Sequence, residues 1–230
     1  MRSIVINREF GSGGREIGKR LSRELNMPFY DSNILLHAAE RYGINPDVMR
    51  DCDEKLIVGM RYNFAAFVTQ NGEAMKLPYK MYEAIADIIR MEAMKEPSIF
   101  IGRCADKVLS DRKIPFLSVY IYASNMEDRR KRVAETEDID FEEIDEYINK
   151  KDKARKEYQK YFAGTILGEC NQYDICLNSS KLGYENCVKV IKNLLWWNKI
   201  IDNLWIIEYI RFMKTDDWEE YLDVLLSREL

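Results

Sequence analysis

The chain has 230 residues, 47% of them apolar and 32% charged. That balance fits one sizeable domain with an appendage, and it excludes a disordered tail, a collagen-like fibre and a membrane-spanning bundle. Its 35 Lys and Arg face 39 Asp and Glu, a net charge of -4 without the basic surplus of a polyanion binder, so no nucleic-acid partner is expected.

In chain order, residues 3–7 (Ser-Ile-Val-Ile-Asn) are a short apolar run that predicts a buried strand. Closed by Asn7 and Arg8, the run is neither a signal peptide nor an anchor. The turn Gly11-Ser12-Gly13-Gly14 follows, then a helix with Ile17, Leu21 and Leu25 spaced by four and ended by Asn26-Met27-Pro28. Phe29-Tyr30 reads as a very short strand, and further strands are expected over 98–102, 117–122 and 174–178. A helix is expected over 79–95, with Met81, Ile85, Ile88 and Ile89 on one face. Alternating strands and helices imply a mostly parallel sheet covered on both faces. Two helical stretches, 32–95 and the highly charged 124–172, interrupt it and read as mobile flaps.

The tail from 196 to 230 holds all four tryptophans (196, 197, 205 and 218), with Ile200, Leu204 and Ile207 on one helical face and a capping box at Asp216 and Glu219. Charged Lys199, Asp202, Glu208 and Arg211 keep its first helix out of a bilayer, so no membrane partner is expected. Five scattered cysteines without a CxxC pair read as reduced thiols of a cytoplasmic protein. With His37 the single histidine, no metal site is expected.

The chemistry concentrates at Arg8-Glu9-Phe10-Gly11-Ser12-Gly13-Gly14-Arg15-Glu16. A glycine loop between a buried strand and a helix N-terminus is an anion site, because the first helical amides lack partners and the helix dipole is positive there. The loop departs from the phosphate-loop pattern GxxxxGK[ST]. Laid ungapped on that pattern, Arg8 takes the place of the first glycine, Gly14 that of the lysine, and Arg15 that of the Mg²⁺-binding Ser or Thr. Arg15 is then a candidate for the missing cation; the plain alternative is a pairing with Glu16.

The segment Ile6 to Gly18, together with Pro28-Phe29-Tyr30-Asp31, resembles the cytidylate kinase-like family, a divergent branch of the P-loop nucleoside monophosphate kinases. Ile101-Gly102-Arg103-Cys104-Ala105-Asp106 is similar to the family segment after its next strand. Lys151-Asp152-Lys153-Ala154-Arg155, with Tyr158 and Tyr161, resembles its lid, and residues 173–179 its last core strand. The resemblance implies an α/β fold: a three-layer P-loop NTPase-like core of about five parallel strands, a helical NMP-binding insertion (about 32–95), a helical lid (about 124–172) and extra C-terminal helices. The kinase-like domain would span 1–195 and the Trp-rich helical extension 196–230. The implied reaction moves the ATP γ-phosphoryl, with Mg²⁺, to a nucleoside monophosphate, CMP or dCMP. Gly11, Ser12, Gly13, Gly14 and Arg15 would hold the ATP phosphates. Asp31 and Arg103 would hold the acceptor, and Arg129, Arg132 and Arg155 would supply lid cations. The usual loop lysine and hydroxyl are absent, Cys104 stands where an aspartate is usual, and His37 where an arginine is expected.

Two other functions fit the same residues: a catalytically silent nucleotide or anion sensor, and a kinase for another small acceptor. Structural alternatives also stand. Asp31 suits a helix N-cap, Arg103 suits an ion pair with Asp106 or Asp111, and Asp152 suits Mg²⁺ or, preferably, Arg155. Arg129 and Arg132 share a helix side, as do Lys151 and Arg155. The tail's apolar faces suit burial against the body or a second subunit, giving a homodimer through the C-terminal helices.

Overall fold

The computed structural model describes residues 1–43 and 76–212, without the side chains of Leu35, 76–78 and 196–212. Strand β1 (Ser3–Arg8) leads through the glycine loop into helix α1 (Gly14–Leu25), and β2 (Phe29–Tyr30) follows. Helices α2 (Asn33–Tyr42) and α3 (Lys76–Lys95) precede β3 (Ile99–Ile101), α4 (Ala105–Asp111) and β4 (Phe116–Tyr122). Helices α5 (Met126–Thr136) and α6 (Ile144–Ala163) come next, then β5 (Ile175–Asn178) and α7 (Ser179–Phe212), which is interrupted at Gly183.

All five strands are parallel, in the order β2-β3-β1-β4-β5. The expected strands are all present, with ends shifted by at most one residue. Strand alternation sends Val5 and Phe100 into a core with Ile34, Met81, Ile85, Ile89 and Leu109 from α2, α3 and α4. Ile6 and Ile101 face the other way, toward α1. Gly18 lets that helix approach closely, since a Cβ there would lie 2.7 Å from Ile101 Cδ1. The sheet is therefore the middle of three layers, and the central strands β1 and β3 are apolar and buried along most of their length because both faces are covered.

The expected helix over 79–95 lies within α3, and its stripe Met81, Ile85, Ile88, Ile89 is buried as its spacing predicts. The charged stretch 124–172 holds α5 and α6, which meet over a small core of Val133, Ile144 and Ile148, with Phe10 of the glycine loop against it. Residues 2–189 make one compact unit; Met1 and residues 190–230 make a second, whose described part is the C-terminal portion of α7. The capping box at Asp216 and Glu219 and the tryptophan side chains lie outside the described residues.

Candidate active site

The loop gets its shape from Gly11 and Gly13, at φ +75° and +81°, a left-handed backbone that side chains disfavour. Gly13 is the N-cap of α1 and offers no side chain to it. The first bonded amide is that of Ile17, which donates to Gly13 O at 3.0 Å. The amides of Gly14, Arg15 and Glu16 therefore point out of the helix start, available to an anion. Ser12 is turned inward and buried, its hydroxyl donating to Glu9 O at 2.9 Å and Ile121 O at 3.1 Å. The loop hydroxyl is thus occupied in fixing the loop to β4.

Arg15 reaches across to the end of β2 and pairs with Asp31. Glu16 instead pairs with Arg20, one turn along α1, at 3.1 Å. The pairing also settles how Asp31 is used. The N-cap of α2 is Ser32, without a side-chain hydrogen bond, and the Asp31 carboxylate faces the site rather than the helix.

Arg8, at the end of β1, lies at the centre. It interacts electrostatically with Arg155, Asp31, Arg103 and Arg15. Burial holds its guanidinium well below the usual arginine range; Arg155 adds to the shift and Asp31 opposes it. Arg103, at φ +60° just past β3, is lowered by burial, with Tyr158 and Asp31 opposing. Arg155 descends from α6, donates to Arg8 O at 3.4 Å and lies 4.9 Å over the Phe10 ring. Burial brings it down to about 10; Asp152 opposes that shift and Arg103 adds to it. Four guanidiniums thus share one small region, with Asp31 the carboxylate that acts on Arg8, Arg103 and Arg155 alike and Asp152 acting on Arg155 as well. The buried Tyr158 hydroxyl beside Arg103 has no hydrogen-bond partner among the described residues, and burial raises its pKa.

Arg129 is placed differently from Arg155. It is buried, donates from Nε to Phe10 O at 2.8 Å, and pairs with Asp152, which also accepts from Phe10 N at 2.6 Å. Asp152 thus pairs with Arg129 rather than with Arg155. The pair grips both backbone polar groups of Phe10 and props the loop from behind. Arg132 lies 5.2 Å over the ring of Tyr184, with Arg20 at 5.8 Å from the same ring. That ring covers Gly13 so closely that a Cβ there would overlap it. A cavity of about 540 Å³ opens on the lid side, bordered by Glu9, Asp152, Lys153, Lys156 and Lys160.

The carboxylates expected as alternatives for Arg103 have other partners. Asp111 pairs with Lys107. Asp106 accepts from Asn7 Nδ2 and Gln159 Nε2, each at 3.0 Å, and burial raises its pKa. Cys104 is buried and donates to Gln159 Oε1 at 3.3 Å, which orients the amide toward Asp106. Its thiol is pushed up by burial, so it packs rather than reacts. Sequence reasoning gave no site role to Arg8 or Tyr158 and missed the bonds that join Asn7, Asp106 and Gln159. Arg8 carried the one available signal, a cation where a glycine is usual.

A parallel sheet in the order 2-3-1-4-5, a glycine loop between its central strand and α1, and cations gathered at the strand ends define a P-loop kinase-type fold. The chain belongs to the cytidylate kinase-like family, which it matches over residues 3–181. Among solved structures it is similar to an uncharacterized protein from Eubacterium ventriosum, at 26% identity and TM-score 0.61 over 84% of this chain and 98% of that one. It also matches shikimate kinase from Bacteroides thetaiotaomicron (18% identity, TM-score 0.48, 84% and 98% covered) and from Aquifex aeolicus (19%, 0.42, 86% and 98%). No curated protein matches the chain. Family membership supports phosphoryl transfer of the nucleotide-kinase type. Among the described residues, no helix is long and apolar enough to cross a membrane.

Proposed function

We propose that the protein transfers the γ-phosphoryl of ATP to a nucleoside monophosphate, CMP or dCMP. The carrying observation is the convergence of Arg8, Arg15, Arg103 and Arg155 with Asp31 at the strand ends beside the glycine loop. Phosphoryl transfer needs little covalent help from the protein; positioning and neutralisation of spread negative charge dominate. An oxygen of the acceptor phosphate bonds to the γ-phosphorus, the bond to the β–γ bridging oxygen breaks, and its electron pair leaves on ADP.

In this reading the backbone amides after Gly13 and the side chain of Arg15 meet the ATP phosphates. Arg103 holds the acceptor phosphate and Asp31 its base. Arg155 comes down with the lid, and Arg132 borders the donor side. Arg129 works through Asp152 as a positioning residue of the loop. Mg²⁺ would be held by the polyphosphate itself, since the Ser12 hydroxyl is committed to two carbonyls. Working in the cytoplasm and pairing through the C-terminal helices complete the proposal.

The test is ADP formation from Mg-ATP over a panel of NMPs and dNMPs. Turnover greatest with CMP or dCMP is expected; turnover only with hydroxyl acceptors would overturn the acceptor assignment. A silent sensor is the second reading, favoured by the same committed Ser12 hydroxyl. ATP binding without product from any acceptor would establish it.

A further inference from the structure

The loop lacks its lysine because Gly14 stands in the lysine's place, and Arg8 stands where the pattern has a glycine. In the folded chain these two departures meet. A Cβ on Gly14 would lie 2.8 Å from Arg8 Cβ and 3.1 Å from Arg8 Cγ. The stem of Arg8 therefore fills the space into which a side chain at position 14 would start. Its guanidinium runs on to Gly102, at φ +68° after β3, where an added Cβ would overlap Arg8 Nη1. Both glycines are thus explained by one arginine: Gly14 clears its stem and Gly102 its head.

We infer that Arg8 takes the task of the missing lysine and is the catalytic cation that meets the transferred phosphoryl group. This rests on the proposed kinase reading and assigns the central charge of that same site. Three further observations support it. Among the described residues no carboxylate is in ion-pair contact with Arg8, and Asp31 acts on it without such contact. Its neighbours Arg15, Arg103 and Arg155 are cations from α1, the end of β3 and the lid helix, which places it between them. The buried Tyr158 hydroxyl, without a hydrogen-bond partner among the described residues, lies beside Arg103 in the same region. A planar guanidinium offers two parallel donors to two phosphoryl oxygens, a geometry that a lysine cannot reproduce.

The test compares the wild type with Arg8→Gln, Arg8→Lys, Arg8→Gly and the exchange variant Arg8→Gly/Gly14→Lys, which rebuilds the usual pattern. Folding is checked by thermal unfolding, turnover by ADP formation, and ATP affinity by calorimetry. The expected result is a loss of at least 100-fold in kcat for Arg8→Gln, a smaller loss for Arg8→Lys, and at least tenfold recovery in the exchange variant over Arg8→Gly alone. Arg8→Gln within threefold of a turning-over wild type would overturn this assignment while leaving the kinase reading intact. A wild type that binds ATP without turnover would overturn the kinase reading. There, a tenfold weaker affinity in Arg8→Gln would uphold Arg8 as the phosphate cation, and equal affinity would overturn it.

Discussion

Replacing Asp152 with alanine separates a propping role for Arg129 from direct contact with phosphate. The side chain of Arg129 is 9% exposed and that of Asp152 18%, so both charges are largely out of water. Removing one partner of such a pair leaves the other charge uncompensated, at a cost of about 3–5 kcal/mol. Glu9, 3.8 Å from Arg129, offsets part of this, and the lost bond from Phe10 N adds to it, so about 3 kcal/mol is expected. With a urea slope of about 2–3 kcal/mol/M, the unfolding midpoint should fall by about 1 M. Arg129→Met should cost a similar amount. The double variant Arg129→Met/Asp152→Leu should recover most of the stability, a coupling of about 2–3 kcal/mol in the double-mutant cycle. Its turnover should stay low, because neither side chain then holds Phe10 and the loop. An Asp152→Ala midpoint within about 0.3 M of wild type, or full turnover in the double variant, would refute the propping role.

Arg15→Ala and Arg103→Ala should each lower kcat/KM at least tenfold, roughly 1.4 kcal/mol, in steady-state assays; wild-type values in both would remove them from the site. Gly13→Ala should cost roughly 1–2 kcal/mol for the left-handed backbone alone, with more for displacing the Tyr184 ring. Adding Tyr184→Ala should return only the second part in urea unfolding. Asp106, raised by burial, keeps its proton longer in the folded than in the unfolded chain. Its contribution to stability is thus full below the unfolded value near pH 4 and is lost as pH rises through the folded value. The stability of wild type relative to Asp106→Asn should therefore fall from pH 4 to 7, and a constant difference would contradict it.

Much of the fold was legible because its signals are local. Ser3 to Asn7, the double glycine and the four-residue spacing of Ile17, Leu21 and Leu25 place β1, the loop and α1 without help from the rest of the chain. The stripe on α3 was equally plain. Pairings were not legible where partners come from different elements. Arg15 meets Asp31 across 16 residues, and Arg129 meets Asp152 across 23. In a segment as charged as 124–172, the sequence offers no means of telling which arginine is buried. Arg129 is buried because α5 packs on α6 with Phe10 wedged beside them, a tertiary fact with no periodicity to announce it. Asp106 and Gln159 are joined by the same kind of contact, between the start of α4 and the lid helix.

The loop shows why a motif read position by position underestimates this site. What phosphoryl transfer requires is a cation at a point in space, desolvated and aimed between donor and acceptor. The chain can deliver it from the residue after the glycines or from the residue that ends the preceding strand. The two routes exclude each other sterically, since Arg8 and a side chain at position 14 need the same volume. An arginine at position 8 therefore demands a glycine at 14, and its longer reach demands a second glycine at 102, 94 residues away. Neither requirement is visible in the loop alone. Read as separate departures, Arg8 and Gly14 look like erosion of a phosphate site; packed together, with Gly102 making room for the guanidinium, they are one cation supplied from the opposite side.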